Sequence, residues 1–236
     1  VAPNLALTLM ERKGLVLLWP LKELIEYAYF WRFDYIVFQN EYFHDRVYRG
    51  YPEILNRLKK IASNGRITVC QVVDHNSQSL EQFLGQTETP IIEERIDFDS
   101  ENSGPWIGYM TNCDTAHTGN RSACFTKDFS SRLTLEWKNP DFLQHGYHPA
   151  RMNFWVKTED SLNADVVVWI TCDGKATFNE IRSLKDIIGS SSNWQNVDYH
   201  FVLPPVTGVD ARLSVYLVNR SPTLLYYDDF SFLVYP

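Results

Sequence analysis

Apolar and polar residues alternate with a period of two along most of the chain from Ile91 onward, the pattern of half-buried β-strands. It predicts strands at 91–98, 121–125, 132–137, 150–158, 164–171, 199–203, 213–219 and 225–234. Ala211-Arg-Leu-Ser-Val-Tyr-Leu-Val-Asn219 and the segment from Leu224 to Pro236, with a turn at Ser221-Pro222, read as an antiparallel hairpin. Residues 180–188 read as a helical turn. Many short strands separated by turn residues predict an antiparallel β-sandwich, jelly roll in type.

Residues 5–73 have a different rhythm. Short apolar runs at 5–10 and 16–19 precede a segment, 21–31, whose Leu21, Leu24, Ile25, Ala28 and Tyr29 recur at helical spacing. Asp34-Tyr-Ile-Val-Phe-Gln39 is a buried-strand pattern. Pro52 opens a second predicted helix, with Ile54, Leu55, Leu58, Ile61 and Ala62 on one face and Gly65 at its end. Residues 66–73 read as a further strand. Successive βα units predict a small α/β domain whose sheet is parallel at least in part. The polar, Gly- and Pro-bearing stretch 74–90 reads as a linker. Two domains are therefore expected: 1–84, small α/β with its linker, and 85–236, the sandwich.

Charge changes the picture of partners. Residues 1–80 carry ten Lys/Arg against eight Asp/Glu, whereas the remaining residues carry twelve against twenty-one. An acidic C-terminal part is a poor polyphosphate binder, so nucleic acid is disfavoured. No apolar run of membrane-spanning length occurs. The chain begins at Val1 without a starting Met or a signal-peptide pattern, which suggests a mature product or an excised piece. Cys70, Cys113, Cys124 and Cys172 lack CxxC spacing, which argues against zinc. Cys113 and Cys124 could meet across a hairpin as a disulfide; buried free thiols are the favoured reading.

Several short patterns fall in the order seen in a known family. They are Arg95-Ile-Asp-Phe-Asp-Ser100 before Pro105-Trp106, Thr118-Gly-Asn-Arg-Ser122, Arg151-Met-Asn-Phe-Trp-Val-Lys157, Trp194, Leu203-Pro204, Val215-Tyr-Leu-Val-Asn219 and Tyr227-Asp-Asp-Phe230. With these, residues 91–236 resemble the jelly-roll, galactose-binding-like carbohydrate-binding modules. The resemblance implies carbohydrate recognition without catalysis. It also implies a structural calcium, held by the acid after the Phe of the opening strand and the first acid of the terminal doublet, here Asp99 and Asp228. More loosely, Arg12-Lys-Gly14 and Asp34-Tyr-Ile-Val37 resemble the soluble α/β tail of polytopic membrane glycosyltransferases that use lipid-linked sugars. That resemblance implies an extracytoplasmic location, with attachment to a membrane through a region upstream of this chain.

The strand faces give candidate residues directly. Phe154 and Val156 oppose Asn153, Trp155 and Lys157; Val166, Val168 and Ile170 oppose Asp165, Trp169 and Thr171. Tyr199, Phe201 and Leu203 oppose Asp198 and His200, and Leu213, Val215 and Leu217 oppose Ser214, Tyr216 and Val218. One face is apolar, and the other mixes aromatics with hydrogen-bonding groups. Sugars suit that mixture, because their C–H faces lie on aromatic rings while their hydroxyls need donors and acceptors. Trp155, Trp169, His200 and Tyr216 are therefore expected to line one sugar-contacting face, with Asn153, Asp165 and Arg212 as polar partners. The rival reading is that these aromatics cover the sheet beneath a loop or dock a protein partner, in a structural or interaction module. Loop aromatics Trp106, Tyr109 and Trp194 mark a second candidate edge.

Read without the resemblance, the acids Asp97, Asp99, Glu101, Asp228 and Asp229 form either a calcium site or a solvated acidic edge. Enzymatic chemistry finds no support. Glu93, Glu94, Glu136, Glu159 and Glu180 are scattered, and no nucleophile elbow, phosphate-binding loop or zinc-protease motif occurs.

Overall fold

The computed structural model describes residues 33–99, 105–107, 112–127, 134–159, 162–188 and 192–236. The expected elements at 5–10, 16–19 and 21–31, the Arg12-Lys-Gly14 turn, Glu101 and Tyr109 lie outside them. The chain divides into two compact units, residues 1–85 and 86–236.

In the first unit, β1 (Tyr35–Gln39), β2 (Leu58–Ser63) and β3 (Ile67–Val72) form a sheet in the order β1-β3-β2. Both pairings are antiparallel. The parallel arrangement expected from βα units does not occur among the described residues. The helix expected from Pro52 is a 3-10 turn, Pro52–Arg57, after which the chain straightens into β2. The physical reason lies in pairing. Leu58 to Ser63 have a ready partner in β3 across the Asn64-Gly65 turn, where Asn64 Oδ1 accepts the Arg66 and Ile67 N–H groups at 3.1 and 2.8 Å. Gly65 supplies the turn's φ of 81°.

One turn of helix, α1 (Asn40–Tyr42), passes into π-helical turns at Phe43–Tyr48. The short helix α2 (Leu80–Leu84) starts from a Ser79/Gln82 capping box and ends on left-handed Gly85. Phe43, Ile54, Leu55, Leu58, Cys70 and Phe83 fill this unit's core. Burial there pushes the Cys70 thiol up to about 12, which keeps it unreactive.

The second unit is a sandwich of two antiparallel sheets. Its strands are β4 (Ile92–Ile96), β5 (Trp106–Ile107), β6 (Asn112–Cys113), β7 (Ser122–Phe125), β8 (Thr134–Lys138), β9 (His148–Thr158), β10 (Ala164–Cys172), β11 (Lys175–Ser183), β12 (Gln195–Leu203), β13 (Ala211–Asn219) and β14 (Leu225–Val234). One sheet runs β11-β10-β13-β8-β5. The other runs β12-β9-β14-β7-β6, with β4 pairing along the later part of β14. Met152, Phe154 and Val156 from β9 meet Val166, Val168 and Ile170 from β10 and Leu213 and Val215 from β13 in a single core between the sheets. Phe154 stacks on Phe230 with centroids 5.0 Å apart.

Three expectations change here. β13 and β14 are not a hairpin: β13 pairs with β10 and β8, β14 with β9, β7 and β4. The polar turn after Asn219 carries the chain from one sheet to the other. Residues 175–183 form a strand, and only Leu184–Ile188, α3, is helical. Cys113 and Cys124 are joined in a disulfide that ties β6 to β7, while Cys70 and Cys172 are free and buried.

Candidate functional site

Because strand residues alternate between faces, each strand of the sandwich turns one set of side chains to the core and the other outward. Which sheet a strand joins then decides where its outward residues stand. β10 and β13 lie in the five-stranded sheet, β9 and β12 in the six-stranded one. The seven residues expected on one face are therefore divided. Trp169, Tyr216, Asp165 and Arg212 stand on the outer side of the five-stranded sheet. Trp155, Asn153 and His200 stand on the outer side of the other.

On the five-stranded sheet, Trp169 is opposite Asn179 of β11 and Ser214 of β13, and Ser214 is opposite Glu136 of β8. The next row is Ile181, Val167, Tyr216 and Thr134. Trp169 is 39% exposed and Ile181 48%, large values for such side chains. Val167, between Ile181 and Tyr216 in that row, is buried. Asp165 is almost covered and bonds to Arg220 Nε at 2.6 Å. Arg212 is exposed, with Asp210 3.9 Å away. Asp165 thus belongs to an edge ion pair, apart from the aromatic rows.

On the six-stranded sheet, Trp155 is half-buried. His117 stacks on it at 3.8 Å with an interplanar angle of 12°, and Trp194 meets His117 edge-on at 5.8 Å. Asn153 and Asn196 exchange amide hydrogen bonds of 3.0 and 3.2 Å. Arg151 binds Asp198 through Nε and Nη2 at 2.7 and 2.9 Å. His200 is only 4% exposed, bonded to Gln86 through Nδ1 at 2.6 Å, with its Nε2 3.3 Å from Asp198. It is a buried structural contact and does not line the outer surface as expected. Burial works to raise the Asp198 carboxyl, but hydrogen bonds and charge from His200 and Arg151 outweigh it and hold the group well below the usual carboxylate range.

The loop bearing His117 is held by acids. Asp228 is 0% exposed. Its Oδ2 accepts the His117 and Thr118 N–H groups at 2.8 and 3.2 Å, and its Oδ1 accepts the Asp229 N–H at 2.8 Å. Burial raises the Asp228 carboxyl, against those three donors. Asp229 occupies a bulge between β14 and β9 with φ of 49°, which an Asp tolerates better than most residues. From there it reaches His117 Nδ1 at 2.8 Å and the Thr118 hydroxyl at 2.6 Å. Asp99 accepts the Asn120 N–H and lies where a Cβ on Gly119 would stand.

The calcium expectation can be tested against this arrangement. Calcium requires six to eight oxygen ligands. The 117–120 turn presents N–H hydrogens to Asp99 and Asp228, and among the described residues no three His, Cys, Asp or Glu side chains converge. As arranged, the turn meets Asp99 and Asp228 with N–H donors, and these two acids remain the side chains proposed to hold a calcium. Sequence reasoning singled out Asp228-Asp229 but missed His117 as their partner, since nothing local joins positions 111 residues apart.

No family model matches the chain, and no curated protein matches it by sequence. Solved structures do match by shape. The CBM22-2 xylan-binding domain of Paenibacillus barcinonensis Xyn10C aligns with 59% of this chain and 98% of its own, at 15% identity and a TM-score of 0.43. A family 16 carbohydrate-binding module aligns over 54% and 89%, at 15% identity and 0.36. The CBM35 of Cellvibrio japonicus Abf62 aligns over 60% and 92%, at 13% identity and 0.37.

Proposed function

We propose that the sandwich recognises a neutral oligosaccharide, without catalysis, along the outer face of its five-stranded sheet. The observation that carries this reading is Trp169: a large indole, open to solvent at the middle of a sheet, in one row with an amide, a hydroxyl and a carboxylate. An indole in that setting gains nothing from core packing. It suits a pyranose, whose C–H face lies on the ring while Asn179, Ser214 and Glu136 take its hydroxyls. A row crossing four strands spans about 14 Å, room for a few sugar units. Tyr216 in the adjacent row adds a second ring with a polar tip.

Binding should be weak at a single sugar and grow with chain length, because each ring and hydroxyl contributes little alone. A glycan array should find a soluble oligosaccharide ligand. Trp169→Ala should then weaken it by at least about tenfold, a loss of about 1.4 kcal/mol, with Tyr216→Ala following. Unchanged binding in Trp169→Ala would remove this face as the site, and capture of a protein partner in its place would establish an interaction module.

The finer reading is that this chain is the extracytoplasmic tail of a membrane glycosyltransferase, and that the sandwich positions its glycan. It is supported by the likeness of Arg12-Lys-Gly14 and Asp34-Tyr-Ile-Val37 to such tails. Several membrane helices encoded upstream of Val1 are the expected finding; an upstream sequence without them refutes it.

A further inference from the structure

We infer a second glycan site on the outer face of the six-stranded sheet, built around Trp155. This inference rests on the reading that the sandwich binds neutral sugars, and it assigns a site on the side away from Trp169.

Three observations carry it. The first is the ring cluster. His117 contacts Trp155 at 3.8 Å and Trp194 at 5.8 Å, and both indoles are half-buried. The His117 ring is fixed by Asp229 at 2.8 Å, and its backbone by Asp228 at 2.8 Å. The aromatic surface is therefore held in place before any ligand arrives, which lowers the cost of binding.

The second is the amide pair beside it. Asn196 is opposite Trp155 in the β9–β12 register, and Asn153 is two residues along β9 on the same side. Their reciprocal bonds use one N–H and one lone pair of each amide. An Asn side chain has two N–H groups and two lone pairs, so each retains one donor and one acceptor. A sugar hydroxyl is itself both donor and acceptor. Two rigid amides next to an indole match it, whereas an apolar partner would leave those groups unmet.

The third is charge. Asp198 is neutralised by Arg151 in a two-pronged pair, and Asp229 faces His117 and Thr118. The acids beside the cluster are thus engaged, and Lys157, on the same side of β9 as Trp155, lies over the Tyr226 ring at 6.0 Å, which leaves rings and amides as the surface offered to sugar hydroxyls. With sites on both outer faces, one sandwich can bridge two glycan strands or two segments of one, and gain apparent affinity by effective concentration.

The experiment uses the full chain with xylohexaose, cellohexaose and β-1,4-galactotetraose as probes, by calorimetry and by NMR of the indole N–H groups. These are assigned with Trp155→Phe and Trp194→Phe. In the Trp169→Ala protein, saturable binding should persist with shifts at the Trp155 and Trp194 indoles, and adding Asn153→Ala with Asn196→Ala should weaken it about tenfold. The same indole shifts should appear in the unmutated protein, which guards against a folding defect in the variants. Binding abolished by Trp169→Ala, with no shift at Trp155 or Trp194 in the unmutated protein, overturns the second site and leaves the first. Persistence of all binding in Trp169→Ala, with those shifts, supports the second site and removes the first. No response of the unmutated protein to any probe overturns both.

Discussion

Asp228 shows how one side chain organises a loop far from it in sequence. A carboxylate with no exposure is costly unless hydrogen-bonded, and here three backbone N–H groups converge on it. Two of them belong to the loop that presents His117 to Trp155. Replacing Asp228 with Ala strands those donors and should destabilise the sandwich by about 2–4 kcal/mol, read as a shift in urea midpoint. A neutral result would show that the loop is held by Asp229 and the disulfide alone. The sequence flagged the Asp228-Asp229 doublet because acids are rare inside strands. It could not reveal what satisfied them, since the donors are backbone groups, which any residue carries. The same limit applies to His200. Alternation put it outward correctly, but its cover, Gln86, sits 114 residues away.

At the level of elements, alternation was a good guide where strands are long. Phe154 and Val156 inward against Trp155 outward, or Val166, Val168 and Ile170 against Trp169, follow from the pleat alone. It failed where an apolar run is short. Leu58, Ile61 and Ala62 fit a helix as well as a strand, and pairing of β2 with β3 decided the matter. β11 escaped notice because Ala176, Phe178 and Glu180 do not alternate cleanly, although Asp173-Gly174 was a hairpin signal in plain view. Asp173 and Gly174 have φ of 50° and 72°, with Cys172 opposite Lys175. Such a two-residue turn needs positive φ at both positions. A Cβ at Gly174 would meet nothing within 4 Å, so the backbone angle is the sole objection to a side chain. Gly174→Ala should therefore cost about 1 kcal/mol, and Gly174→Asn less, since Asn tolerates the left-handed region. Thermal melts of the two variants test this; equal stability of Gly174→Ala and the parent would mean the turn relaxes.

For the whole molecule, the lesson is that parity assigns a face but pairing assigns a sheet. Trp155 and Trp169 share outward parity, and only the order β12-β9-β14 against β11-β10-β13 sets them on different surfaces. The same pairing bears on how the two ends of the sandwich are joined. Asp99 follows β4, the first strand of the sandwich, and Asp228 lies on β14, the last. A calcium between them would clamp the fold at its ends, and stabilise it in proportion to occupancy. The observed clamp is the 117–120 turn, which donates N–H groups to both acids, with Gly119 packed where only a hydrogen fits beside the Asp99 carboxylate. These hydrogen bonds join both acids to the turn directly. Melting temperatures in EDTA and in millimolar calcium should agree within about 1 °C, whereas Gly119→Ala, which drives a methyl into Asp99, should lower both alike. A melt that falls in EDTA and recovers with calcium, but not in Asp99→Asn or Asp228→Asn, would instead show that the turn inverts to offer its carbonyl oxygens to a bound ion.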